Sequence, residues 1–162
     1  MTTSRSKSKK EGKAVKPIPS NIKQRALRNF QRMRRLEEMN ADGTVTCISC
    51  GRIIPFSESQ GGHYISRTCE ATCNEPDNVW PQCVSCNCYK DGNYIEYRMR
   101  LVRKIGIKRV ERLENMLFAS KGDEEALAKL YPQDQYKVTG KKGKVYWNER
   151  NEEYKRRIKE LE

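Results

Sequence analysis

Apolar residues recur at helical spacing near the N-terminus, between two prolines and an Asp-Gly pair. Lys and Arg fill most of the positions around them, which is the pattern of an amphipathic helix with one buried face. The sequence predicts such a basic helix over residues 20–43, which Ser20 caps and Asp42-Gly43 ends. The apolar stripe consists of Ile22, Ala26, Leu27, Phe30, Met33 and Leu36.

The centre and the second half of the chain differ in their patterns. The centre holds short β-prone runs separated by turn residues, whereas helical periodicity returns towards the C-terminus. The β-prone runs are residues 44–46, 52–56 and 63–66, and residues 69–77 are predicted as a loop. Helices are predicted over residues 87–104, 108–119, 123–130 and 148–161, the last capped by Asn148, with a loop marked by Pro132 and residues 140–143. These patterns predict an α+β fold that is mostly α-helical.

Positive charge is concentrated in both flanks of the 162-residue chain, whose formal net charge is +12. The flanks 1–46 and 93–162 carry +8 and +6, and the centre carries −2. Such an excess favours a polyanionic partner, because each neutralised phosphate releases counterions, although solvated charged helices give a similar composition. Residues 1–19 are rich in Ser and Lys and lack apolar periodicity, so a disordered basic arm is predicted there.

Cellular location is constrained by two absences and by the cysteines. The sequence has no run of 18 apolar residues, and no apolar segment follows the basic N-terminus, so neither a membrane span nor a secretory signal is predicted. Seven cysteines without a secretory signal indicate a reducing compartment, and we expect the cytoplasm. In that compartment, closely spaced cysteines are typical of metal sites.

Two CxxC pairs lie 32 residues apart and predict a structural zinc site. The ligands would be Cys47, Cys50, Cys83 and Cys86, and Gly51 permits a tight turn after the first pair. Four thiolates complete the tetrahedral shell of Zn²⁺ and leave no open position for a substrate. We expect the remaining thiols, Cys69, Cys73 and Cys88, to be packing or loop residues, although Cys69 and Cys73 are also spaced as a second metal pair.

His63, the one histidine of the chain, lies in the segment between the two pairs. It is next to Gly61-Gly62, where a substrate backbone could approach closely, and four residues before Arg67. Asn78 and Asn87 follow, and Asn87 comes directly after the last predicted zinc thiolate. A lone histidine is usually a packing residue, but these neighbours make it a candidate for phosphate chemistry.

The order of these residues resembles that of HNH (ββα-metal) nucleases, in which a hairpin with a His precedes an Asn and a helix with a metal ligand. Endonuclease VII-type resolvases are similar in placing an Asn directly after the second CxxC. A closer resemblance is to the phage NinG/Rap family of recombination nucleases, dense from Cys47 to about Leu113 and weak beyond. It is carried by CISCG, GGHYISR, NVWPQCVSCNCYKDGNYIEYR and the later IG.

The resemblance implies a zinc-stapled HNH module over residues 44–106, with a C-terminal helical region over residues 107–162. It further implies a metal-dependent endodeoxyribonuclease that acts on Holliday junctions and D-loops. In this mechanism His63 is the general base, because a neutral imidazole can take a proton from water near pH 7. Asn87 helps to hold Mg²⁺ or Mn²⁺, Asn78 orients His63 or orders the hairpin, and Arg67 grips a phosphate.

One departure from the HNH pattern leaves the catalytic metal shell open. Many HNH sites have an acidic ligand directly before the His, whereas Gly62 occupies that position here. Gln60 is the nearest polar residue, and Glu75, Asp77 or the substrate could supply the missing charge. The alternative function is a zinc-containing nucleic-acid-binding protein without catalysis. A third alternative is a zinc-bearing module for protein interaction.

The predicted partner is branched DNA, held through its backbone. Two symmetric cuts in a junction would suit a two-fold homodimer, although the sequence contains no decisive interface for one. Phage or host recombination proteins are further candidate partners implied by the resemblance. The candidate DNA-binding residues are Arg32, Arg34, Arg35 and Lys90.

Overall fold

The computed structural model describes residues 21–162, so the predicted arm over residues 1–19 and the predicted cap Ser20 lie outside it. The described part is mostly helical with two small antiparallel sheets, which confirms the α+β expectation at this level. No helix of the described part is both long and apolar enough to cross a membrane.

The first helix, α1 (Ile22–Glu37), buries its apolar stripe against the last helix, α6 (Lys144–Leu161). The Asn21 side chain caps α1 by accepting a hydrogen bond from the Gln24 N–H at 2.9 Å. The helix ends before the predicted Asp42-Gly43 stop. The predicted start of α6 was also wrong, because Asn148 lies inside the helix and Gly143 precedes it. The two flanks of the chain therefore share one apolar core.

The strands form two hairpin-like pairs. β1 (Thr44–Thr46) pairs with β2 (Ile53–Pro55), and β3 (Ser59–His63) pairs with β4 (Val79–Cys83). His63 is the last residue of β3, so the predicted strand over residues 63–66 was wrong. The apolar pattern does not predict β4, because Pro81 and Gln82 interrupt it. In the register, Gly62 faces Trp80 and His63 faces Val79.

The predicted helix over residues 87–104 is in fact two helical pieces. A single π-helical turn (Ser85–Tyr89) precedes α2 (Tyr94–Ile105), and residues 90–93 form a turn between them. Asp91, Gly92 and Asn93 have φ angles of 46°, 87° and 50°. Left-handed backbone cannot continue a right-handed helix, and this is why the helix breaks here.

Three further helices follow on the C-terminal side: α3 (Ile107–Ser120), α4 (Glu124–Ala128) and α5 (Pro132–Thr139). The first two agree with the predicted helices, and Asp123 caps α4. The loop expected at Pro132 is instead the start of α5, because proline is well suited to the first helical turn. Asp134 of α5 is 1% exposed and accepts hydrogen bonds from Arg112 of α3 at 2.7 Å, which fastens α5 to the rest of the fold.

Candidate functional site

The four cysteines of the two CxxC pairs come together at the end of the β1–β2 pair. The sulfur atoms of Cys47, Cys50, Cys83 and Cys86 all lie within 4.8 Å of one another, and Cys50 Sγ is 3.9 Å from Cys83 Sγ. A tetrahedral Zn²⁺ with bonds of about 2.3 Å sets its sulfurs about 3.8 Å apart, so the donor set fits this ion. The cluster joins β1, β4 and the π-helical turn.

The surroundings of the thiols also suit a bound cation. Burial raises the pKa of Cys86 to about 12 and raises the pKa of Cys47, so these thiolates need a positive charge beside them. The Asn93 amide donates to Cys86 Sγ at 3.5 Å. The Cys86 N–H points to Cys83 Sγ at the same distance. Such contacts orient thiolates around a metal and add to its retention.

His63 is held at the end of β3 with one ring nitrogen occupied. Its Nε2 lies 3.0 Å from the carbonyl oxygen of Cys73. A carbonyl can only accept, so Nε2 carries the hydrogen and the lone pair of the neutral ring is on Nδ1. Burial lowers the pKa of His63, which outweighs the opposing effect of the Cys73 hydrogen bond, and the charge of Arg67 lowers this pKa further. At pH 7 the ring is therefore neutral.

Asn78 is fully buried and organises the segment that follows β3. Its Oδ1 accepts from the Ile65 N–H at 2.7 Å. Its Nδ2 donates to the carbonyls of Ile65 and Thr72 at 2.9 and 3.0 Å. Asn78 makes these contacts rather than a direct one to His63, so its geometry fits the ordering of the hairpin. Its part in catalysis stays a prediction.

Asn87 lies in the π-helical turn, directly after Cys86 of the four-cysteine cluster. Its Nδ2 donates to Gln60 Oε1 at 2.6 Å, and Cys88 Sγ approaches the same oxygen at 3.2 Å. With the amide held in this way, Asn87 Oδ1 is the atom left to act as a ligand. Gln60 therefore orients Asn87. The side-chain oxygen of Gln60 is itself already occupied by these two contacts.

A cavity of about 450 Å³ brings the candidate chemistry together. It is lined by His63, Arg67, Asn87 and Asp91, with Gln31, Gly61, Ser66, Gly92 and Tyr94 forming the rest of its wall. The residues predicted as general base (His63), phosphate-binding group (Arg67) and metal ligand (Asn87) thus line one solvent-accessible cavity. Arg67 and Asp91 are exposed, and His63 and Asn87 are half-buried.

Asp91 is the residue that the sequence interpretation missed. Glu75, Asp77 and the substrate were left open as sources of the missing charge, and Glu75 and Asp77 are instead buried and paired elsewhere. Glu75 accepts from Arg112 at 2.7 Å, and Asp77 from Arg109 at 2.9 Å, on the side of the molecule that faces α3. The signal for Asp91 was the Asp-Gly pair, which is typical of a turn rather than of a helix interior.

The predicted DNA-binding arginines of α1 have three different environments. Arg34 is 7% exposed, donates to the carbonyls of Pro76 and Val79, and stacks on Trp80, so its position does not suit a DNA contact. Arg35 is half-buried and donates to the Ser59 carbonyl at 2.7 Å, and it too supports the fold. Arg32 is exposed and forms an ion pair with Glu162. Lys90 is exposed and lies in the turn over residues 90–93.

The three remaining cysteines do not form a second cluster. Among residues 21–162, the four-cysteine group is the one cluster of metal-ligating side chains. Cys73 is completely buried in the core between α1 and α6. Cys69 Sγ lies 3.6 Å from the Ser120 hydroxyl, and Cys88 is exposed. These positions agree with packing and loop roles.

Comparison with known proteins gives one family. A family model described as Bacteriophage Lambda NinG protein matches residues 2–145. Protein NinG of Escherichia phage lambda is 37% identical over 108 residues, and protein NinG of Salmonella phage P22 is 36% identical over 107 residues. Both alignments cover 63% of this chain and 48% of the relative, so the chain spans about half the length of the curated relatives it matches. No solved structure matches. Because the family model covers most of its length, this chain belongs to the NinG family of bacteriophage proteins.

Proposed function

We propose that this protein is a structure-selective DNA endonuclease that hydrolyses phosphodiester bonds in branched recombination intermediates. The observation that carries the proposal is the state of His63: its Nε2 is bound to a carbonyl, and the ring lines a cavity together with Arg67 and Asn87. The choice of branched DNA rests on the resemblance of the sequence motifs to recombination nucleases. The choice of hydrolysis rests on the chemistry of the cavity.

The fold around the cavity supports an HNH-type assignment. An antiparallel pair, β3 and β4, is followed directly by a helical turn that carries Asn87. This order of strand, strand and helical turn resembles a ββα-metal module, with the proposed base on the first strand and the proposed metal ligand on the helical turn. The buried Tyr97 hydroxyl donates to the Gly62 carbonyl at 3.0 Å and fixes the strand beside His63.

His63 acts as the general base in this mechanism. A water molecule donates a proton to Nδ1 while its oxygen forms a bond to phosphorus. The bond from phosphorus to the leaving sugar oxygen then breaks, and that oxygen takes a proton from solvent. A positioned base of this kind contributes about 10²- to 10⁴-fold to a rate.

Charge on the phosphate is handled by the other residues of the cavity. Asn87, through Oδ1, would hold a hard divalent cation such as Mg²⁺ or Mn²⁺, which neutralises charge on the phosphate oxygens when bound. Arg67 has no hydrogen-bond partner among the described residues and can donate two parallel hydrogen bonds to a phosphate. The cysteine cluster, when it holds Zn²⁺, supports the turn that carries Asn87 and takes no part in the reaction.

A second groove continues from the cavity along α1 and supports a grip on the DNA backbone. It has a volume of about 570 Å³ and shares Gln31 and Arg67 with the cavity. Lys23, which is paired with Glu70, and Arg28 also line it, so the groove contains three basic side chains. Contacts of this kind bind phosphates without reading sequence, and they weaken as salt rises.

Replacement of His63 by Ala is the direct test. Purified protein would be incubated with four-way junction, flap and linear duplex DNA, with and without Mg²⁺ or Mn²⁺. We expect His63→Ala to lose about 10²- to 10⁴-fold in cleavage of the branched substrates, while cooperative melting and junction binding in Ca²⁺ are retained. Added imidazole should restore part of the lost rate, because a free base can enter the space left by the ring. Equal cleavage by the variant and the parent would reject His63 as the base.

The same assay separates the alternative function. A zinc-containing nucleic-acid-binding protein without catalysis would bind the junction in a salt-sensitive way and cleave no substrate with either metal. A module for protein interaction would show no salt-dependent DNA binding at all.

A further inference from the structure

The position before His63 cannot hold the acid that HNH sites usually have there. A Cβ atom at Gly62 would lie 1.8 Å from Gln82 Oε1 and 2.6 Å from Gln82 Cδ. Gln82 is fully buried, so its amide has no open space into which to move. The space that an acidic side chain would need at position 62 is therefore already filled.

Gln82 in turn anchors the turn that carries Asp91. Its Nε2 donates to the Gly92 carbonyl at 2.7 Å and to the Ser49 hydroxyl at 2.6 Å. On the other side of the turn, the Gly92 N–H donates to the carbonyl of Cys86 at 2.9 Å. The turn is thus fixed both to β4 and to a ligand of the cysteine cluster.

Asp91 itself is held in an uncommon conformation and has no internal partner. Its φ angle of 46° lies in the left-handed region, which non-glycine residues adopt mainly in turns and at functional positions. Within residues 21–162, its carboxylate takes part in no hydrogen bond or ion pair. It is the one carboxylate among the residues that line the cavity with His63 and Asn87.

We propose that Asp91 is the carboxylate ligand of the divalent cation at this cavity, so that the acidic ligand comes from the turn after the second CxxC rather than from the strand of the base. Hard cations of the Mg²⁺ type bind oxygen donors, and sites for them usually include one or two carboxylates. Asp91 and Asn87 Oδ1 supply two such donors from one segment. The use of this cation in cleavage rests on the proposed nuclease function, whereas its binding does not.

Binding of Mn²⁺ to the zinc-loaded protein, followed by the electron paramagnetic resonance signal of free Mn²⁺, tests the assignment without any substrate. Asp91→Asn is suited to this test because Asn adopts left-handed backbone readily and keeps the turn. We expect its affinity for Mn²⁺ to fall by about tenfold or more. Glu124→Gln removes the same charge from the first turn of α4, and we expect it to bind Mn²⁺ like the parent. Both variants should keep the zinc content and melting of the parent.

The outcomes separate the cation site from the enzyme. Unchanged Mn²⁺ affinity in Asp91→Asn, an equal loss in Glu124→Gln, or no binding by the parent at millimolar Mn²⁺ would each overturn the assignment. Loss confined to Asp91→Asn would support it even if the parent cleaved no DNA, in which case the nuclease proposal alone would fail. If the parent cleaves and Asp91→Asn affects neither binding nor rate, the function stands and the ligand is elsewhere.

Discussion

The cysteine cluster and the His63 cavity include residues that are adjacent in the chain, but they differ in the chemistry and the solvent exposure of their side chains. The cluster consists of four identical soft donors, largely buried, that face one another and leave no room for a substrate. The cavity has four different polar side chains and opens to solvent: His63 and Asn87 are each held by one hydrogen bond, whereas Arg67 and Asp91 have no hydrogen-bond partner among the described residues. Cys86 and Asn87 are consecutive, so the closed site fixes the backbone of the open one. The two sites thus share one helical turn, which carries both Cys86 and Asn87.

Disruption of the cysteine cluster should have the largest effect on the stability of the protein. We expect Cys86→Ser to lose its bound zinc and its cooperative melting, since structural zinc contributes about 10–16 kcal/mol in small zinc domains, as much as the whole stability of a typical fold. Zinc content and circular dichroism melting measure this. Cys88→Ser is the matched control, because Cys88 is exposed and outside the cluster. A Cys86→Ser protein that retains zinc and melts like the parent would contradict the structural role of the cluster.

The link between the two sites can be tested at Gly62. We expect Gly62→Asp to destabilise the protein by about 1–3 kcal/mol in urea unfolding, because its Cβ would overlap Gln82. The HNH-like acid should also fail to raise cleavage. Gly143→Asp is a suitable control, since nothing lies within 4 Å of a Cβ there and Asp is favourable at the start of a helix. In the double variant with Gln82→Ala, the cost of Gly62→Asp should shrink. An equal cost would show that the space at position 62 is not limiting.

A smaller effect is expected on the pKa of His63. Because Arg67 lowers the pKa of His63, Arg67→Met should raise it, by less than about one pH unit for a solvent-exposed charge. The protonated, inactive ring would then persist to higher pH, so the acidic limb of the cleavage profile should move upward. The chain has one histidine, so a single imidazole NMR signal reports this pKa directly. A limb that moves downward would contradict the electrostatic role of Arg67.

The sequence was most informative where the chemistry depends on short spacing. The two CxxC pairs predict a cluster from local geometry, and the four sulfurs are together in the structure. His63, Arg67 and Asn87 could be proposed from their order, and they line one cavity.

The remaining features depend on contacts between distant segments, and the sequence did not predict them. From the sequence, Arg34 was expected to be a DNA-binding residue of the basic helix. It is instead buried and donates to carbonyls of residues more than forty positions away. Glu75 and Asp77 were available carboxylates by sequence and are neutralised by arginines of α3. Asp91 was assigned to a helix over residues 87–104, although the apolar stripe begins only at Tyr94, and left-handed backbone at residues 91–93 separates the two helical pieces.

The contacts of Asn74 bear on whether the central region, residues 44–106, would keep the geometry around His63 if it were moved into another protein. Its amide donates to the hydroxyls of Tyr146 and Tyr154 in α6 at 2.8 and 2.9 Å. The adjacent Cys73 carbonyl is the acceptor that selects the tautomer of His63. A minimal fragment cut at the boundaries of this region would keep every candidate catalytic side chain but lose the α6 contacts that position Asn74, next to the carbonyl that binds His63 Nε2. Grafting this chemistry onto another protein would therefore require both terminal helices as well.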